Sequence, residues 1–129
     1  MKRYFDEAGS ARVAALFEDA DEVWVAPVAR VEAYHVIYRM KHALPSRAQD
    51  LYYIMKEMEQ DMRFFRQSPW DHVLENKVLE VLERAPLKSF DAVQVASGLL
   101  AKPDVFITAD KQRAAAARKF PLTVVLIPV

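Results

Sequence analysis

Only two glycines, Gly9 and Gly98, occur in 129 residues. Tight hairpins need backbone at positive φ, which glycine adopts at least cost. A chain this poor in glycine has few hairpins, and strands not joined by hairpins pair in parallel through helical crossovers. It also lacks the glycine-rich loop that cradles a phosphate. The expected class is therefore α/β, with a helix-covered parallel sheet.

The hydrophobic pattern places the elements. Val13, Ala14, Leu16 and Phe17 fall at helical spacing within 10–19, with Ser10 as N-cap. Val23-Trp24-Val25 reads as a short buried strand. Pro27 opens a helix running to about 42, with Val28, Val31, Tyr34 and Tyr38 inward, and Pro45 ends it. Residues 46–66 form a long helix with Leu51, Ile54, Met55, Met58, Met62 and Phe65 on one stripe, so 27–66 is a helical hairpin. Ser68-Pro69-Trp70 breaks the pattern, and Asp71 caps a helix to about 84. A helix over 89–101 is apolar all round and hence central. Strands follow at 105–108 and 122–127, with a helix over 110–119 between them. Three strands make a thin sheet for one domain of this size.

Apolar residues make up 53% of the chain, which excludes disorder and supports a single domain over 1–129. Eighteen acids balance eighteen bases, so no overall field draws the chain to nucleic acid or membrane. A polyanion would have to meet a local patch such as Lys41, His42, Arg47, Arg63 and Arg66; a solvated helix face is the commoner meaning of such a group. There are no cysteines, so disulfides and thiolate metal sites are excluded. No apolar run approaches the roughly 20 residues that span a bilayer. No signal-peptide pattern follows Met1-Lys2-Arg3, and the expected location is cytoplasmic.

Against this background three carboxylates stand out, Glu32, Asp91 and Asp110, each at the start of an expected helix. Singly each has a structural reading. Asp110 suits an N-cap, Asp91 suits the positive end of a helix dipole, and Glu32 suits solvent. Together they change in meaning, because helix starts along a parallel sheet face one edge, where ligands of open α/β folds bind. Clustered carboxylates repel one another unless protonated or neutralised. Mg²⁺ or Mn²⁺ takes such oxygen ligands and can activate water against a phosphate. His35, His42 and His72 lack paired ligand spacing and read as packing or surface residues. Tyr52-Tyr53 and Phe64-Phe65 read as core or interface packing, and Met55, Met58 and Met62 as the seam of the hairpin.

In order along the chain, these residues resemble the PIN-domain family, in particular VapC-type toxin ribonucleases. Lys2-Arg3-Tyr4-Phe5 with Glu7 and Gly9-Ser10 is similar to the segment after the family's first strand. Val28-Ala29-Arg30-Val31-Glu32 resembles the second-acid motif. Ser89-Phe90-Asp91-Ala92-Val93-Gln94-Val95-Ala96 resembles the third, and Phe106-Ile107-Thr108-Ala109-Asp110 the fourth. The likeness runs essentially end to end.

The resemblance implies a three-layer α/β/α fold with a parallel sheet, and a Mg²⁺- or Mn²⁺-dependent endoribonuclease with Glu32, Asp91 and Asp110 holding metal and Thr108 assisting. It implies RNA as substrate, a cognate antitoxin as inhibitor, and a homodimer, with the 27–66 hairpin supplying one wall of the active-site groove and the dimer surface. It departs at its start, where the family has an apolar strand ending in Asp and this sequence has Met1 directly before Lys2. Either the true start lies upstream or the chain is a truncated member. The expectation is therefore a fold short of its first strand and first Asp, weak or inactive as a nuclease. The rival expectation is a non-catalytic remnant acting as a protein-binding or dimerisation module. A small-molecule enzyme on a flavodoxin-like sheet fits poorly, because no anion loop follows a strand.

Overall fold

Proline and aspartate mark the places where the chain changes element. The computed structural model describes residues 10–127. The Lys2-Arg3-Tyr4-Phe5 segment, Glu7, Gly9 and the expected absence of a strand before them lie outside the described residues. Among the described residues six α-helices and four short strands follow in order: α1 (Ser10–Asp19), β1 (Trp24–Val25), α2 (Ala29–Ala43), α3 (Ala48–Met62), β2 (Arg66–Gln67), α4 (His72–Arg84), α5 (Ser89–Ala101), β3 (Phe106–Thr108), α6 (Lys111–Ala117) and β4 (Val124–Leu126). Pro45 opens a single 3₁₀ turn, Pro45–Arg47, that reverses the chain between α2 and α3. Asp71 caps α4, its side chain accepting from the Leu74 N–H at 2.9 Å.

All strand pairing among the described residues is parallel, as the shortage of glycine requires. It forms two separate two-stranded sheets rather than one. In the first, Trp24 lies opposite Arg66 and Val25 opposite Gln67. In the second, Phe106, Ile107 and Thr108 lie opposite Val124, Val125 and Leu126. The fold is α/β, dominated by helix.

The expected helix over 46–66 is corrected at its end. Helix α3 stops at Met62, and Arg66 leaves to donate its N–H to the Val23 carbonyl at 2.8 Å, making β2. The inward face of α2 is also corrected. Val31 (58%) and Tyr38 (46%) are exposed, whereas Ile37 is buried with Ala33, Tyr34 and Met40 beside it. Nor is β1 wholly buried. Trp24 is 41% exposed, with its indole N–H donating to Glu22.

The interior divides into two clusters. One joins Ala26 and Val28 to Leu74 and Val81 of α4, the Ala92–Ala96 face of α5, Ala117 and Phe120. The other is the seam of the α2–α3 hairpin, with Ile37, Leu51 and Met58 at its centre and Met40, Met55 and Met62 around them. This bears out the methionine seam. By contrast Tyr52, Tyr53 and Phe64 are exposed, Phe64 by 85%, so these three do not pack in the core; Phe65 is half-buried, edge-on to Phe17.

Gly98 sets how closely the second sheet approaches α5. A β-carbon there would stand 2.6 Å from the Phe106 ring. The missing side chain lets β3 lie against α5, which brings the end of β3 towards the start of the central helix. No helix among the described residues is long and apolar enough to cross a membrane.

Candidate active site

Glu32 stands in the first turn of α2, its N–H bonded to the Val28 carbonyl at 3.0 Å. Ala26 and Val28, both buried, anchor the chain just ahead of that turn in the larger core. Asp91 stands in the first turn of α5, the helix whose Ala92, Val93, Val95, Ala96 and Ser97 are buried, as its composition led one to expect. Asp110 is the N-cap of α6 and accepts the Arg113 N–H at 2.8 Å. Its own N–H donates to the hydroxyl of buried Thr108 at 3.1 Å. Thr108 therefore shapes the turn that presents Asp110.

Glu32 and Asp91 meet through a residue that the sequence had not singled out. The Arg113 guanidinium, on the first turn of α6, donates to Asp91 Oδ1 through Nη2 and, at 3.1 Å, through Nε. Its Nη1 donates to Gln94 Oε1 at 3.0 Å, and Nη2 is 3.9 Å from Glu32 Oε2. Gln94 closes the ring by donating its amide to Glu32 Oε1. The side chains of Arg113 and Asp91 are only 16% and 17% exposed, so these charges interact in a partly water-excluded site.

Three helix starts do come to one place, but the acids play different parts there. Glu32 and Asp91 share one cation. Asp110 spends a carboxylate oxygen on its helix and reaches the others through the backbone of Arg113. Gln94 and Arg113 each lie one helical turn beyond a singled-out acid, three residues on, and that spacing was the available signal. His35, His42 and His72 are exposed, in keeping with surface roles, and so are Lys41, His42, Arg47, Arg63 and Arg66.

Among the described residues no three acidic or histidine side chains are grouped to hold a metal ion. The donors that converge, two carboxylates and an amide oxygen, are nevertheless of the kind a hard divalent cation takes. They already face a positive charge, so the donor set fits such an ion in kind. A family model described as PIN domain matches residues 2–119. No curated protein matches the chain.

Proposed function

As the chain belongs to the PIN-domain family, whose members are nuclease-type domains, we propose that it is a metal-dependent endoribonuclease of the VapC-like toxin type. The observation that carries this reading is the meeting of Glu32 of α2 and Asp91 of α5 around the half-buried guanidinium of Arg113. An unpaired acid pair in that position would be costly, and a fold keeps one where it serves a cation.

Glu32 and Asp91 would hold Mg²⁺ or Mn²⁺, with Asp110 and Thr108 at the edge of the site. Such an ion supplies polarisation of a phosphate oxygen and a water acidic enough to attack it. The chain's own residues do the rest. Gln94 fixes the rotamer of Glu32 through its amide, and the Thr108 hydroxyl fixes the turn carrying Asp110. Asp110 in turn holds the first turn of α6, so the Arg113 guanidinium is delivered beside the acids and could meet a phosphate oxygen.

RNA is the substrate of this reading, and an antitoxin and a second copy of the chain are its protein partners. Tyr52, Tyr53 and Phe64, exposed on and just after α3, support a protein contact on the hairpin. A second reading is a non-catalytic binding module of the same fold. Arg113 favours it, since a guanidinium already occupies the acids and offsets one of their two charges.

One assay separates the two. Structured and single-stranded RNA would be incubated with the chain in Mn²⁺ and in EDTA, beside Asp91→Asn. The nuclease reading expects metal-dependent cutting reduced at least a hundredfold by the substitution, on the scale of losing one charge-stabilising group. Equal inertness of both folded proteins would leave the binding module.

A further inference from the structure

The feature that the nuclease reading leaves unexplained is how closely Arg113 is bound to the acids. Its backbone N–H is consumed by Asp110 and its side chain by Asp91, Gln94 and Glu32. A surface arginine pairs loosely and pays in side-chain entropy. This one is largely withdrawn from water and uses its forked donors on three oxygen-bearing side chains from two other helices. The oxygens it contacts are those a divalent cation would need.

We infer that Arg113 is the resident counter-ion of the oxygen cradle made by Glu32, Asp91 and Gln94, and that a divalent cation enters only by displacing it. This rests on the proposed metal site but not on cleavage. Two cations cannot share the cradle, since guanidinium and metal would repel at contact distance. The arginine-in state is therefore a competitor built into the chain. Apparent metal affinity falls by the fraction of molecules whose cradle is open. The same contact offsets one of the two negative charges when metal is scarce, and so lessens carboxylate repulsion.

The competition can be measured without RNA. Mn²⁺ would be titrated calorimetrically into the full chain and into Arg113→Gln and Arg113→Lys, with melting temperature followed with and without the ion. Arg113→Gln should bind Mn²⁺ on the order of tenfold more tightly than the wild type, the factor expected if about a tenth of wild-type cradles are open. Without metal it should melt lower, and Mn²⁺ should raise its melting point more than that of the wild type. Arg113→Lys keeps the charge but loses the fork, and should fall between the two.

Equal or weaker Mn²⁺ binding by Arg113→Gln overturns the inference, as does the lack of binding by all three proteins. Should Arg113→Gln fail to fold, Arg113→Lys decides alone: affinity no better than wild type overturns it. Mn²⁺ binding by the wild type, tighter in Arg113→Gln, with no RNA cleavage by the wild type would count against the nuclease reading and leave the counter-ion standing.

Discussion

The two cores of this domain are built from different materials. The body, around α4, α5 and α6, is dominated by alanine and valine, with Leu74, Val81, Val95 and Ala96 at most 1% exposed. The hairpin seam of α2 and α3 relies on methionine with isoleucine and leucine, and within it only Ile37, Leu51 and Met58 are fully withdrawn from water. Small side chains let backbones approach closely and leave little room to relax. Methionine adapts to whatever gap it is given. The comparison teaches where stiffness lies: Asp91 stands on the rigid body, and Glu32 stands where the compliant hairpin departs from it.

The hardest test of this contrast is a pair of truncations. Leu74→Ala should cost about 4 kcal/mol, because the alanines and valines around it cannot close the cavity. Met58→Ala, equally buried, should cost about 2 kcal/mol, since Met55 and Met62 can move into the space. Urea unfolding of both variants checks the difference, and equal losses would erase the distinction. Next comes Gly98→Ala. Its new methyl must displace the Phe106 ring, and overpacking of this kind costs roughly 1–3 kcal/mol. A stability equal to wild type would mean that the second sheet is not held closely to α5.

The smallest effect belongs to the polar edge of the hairpin. There Glu59 accepts from the Tyr34 hydroxyl at 2.6 Å and from Arg30 Nε at 2.8 Å. The Tyr34 hydroxyl, then Arg30, hold the Glu59 carboxyl below the usual carboxylate range, against partial burial that pushes it up. Tyr34 is shifted upward, chiefly by the same bond. A depressed acid stabilises above its unfolded value and loses that contribution as pH falls through its folded value. The raised phenol stabilises below its unfolded value and loses its contribution as pH rises through its folded one. Tyr34→Phe should therefore cost at most about 1 kcal/mol near neutrality and flatten the stability profile at both ends. Denaturant midpoints across pH would show it. An unchanged profile would assign the hairpin's pH response elsewhere.

Much of this architecture was legible because local chemistry and packing agree. Asp71 and Asp110 read as caps and are caps; the apolar composition of 89–101 matches the buried helix α5. What escaped was held by other forces. Arg66–Gln67 has no apolar alternation; its pairing with β1 comes from backbone hydrogen bonds to a distant segment, joined by the Arg66 guanidinium 3.1 Å from Glu22 and over the Trp24 ring. Phe65 continued the α3 stripe, so the helix read too long. On α2 the i, i+3 spacing chose Val31 and Tyr38, while packing against α3 turned Ile37 inward. The three acids were visible as separate helix starts, but the cation between two of them was not. A lone arginine in an alanine-rich helix gives no sign of which carboxylates it will meet.

Arg113 has one further property, which follows from its place three residues beyond Asp110. Its main chain answers to one carboxylate and its guanidinium to another, so a single Cα is tethered at both ends. Fraying of the first turn of α6 slackens the grip on Asp91, and release of Asp91 removes a brace from that turn. Such linkage is reciprocal. Anything that engages Asp110 is transmitted to Asp91 across the width of one residue.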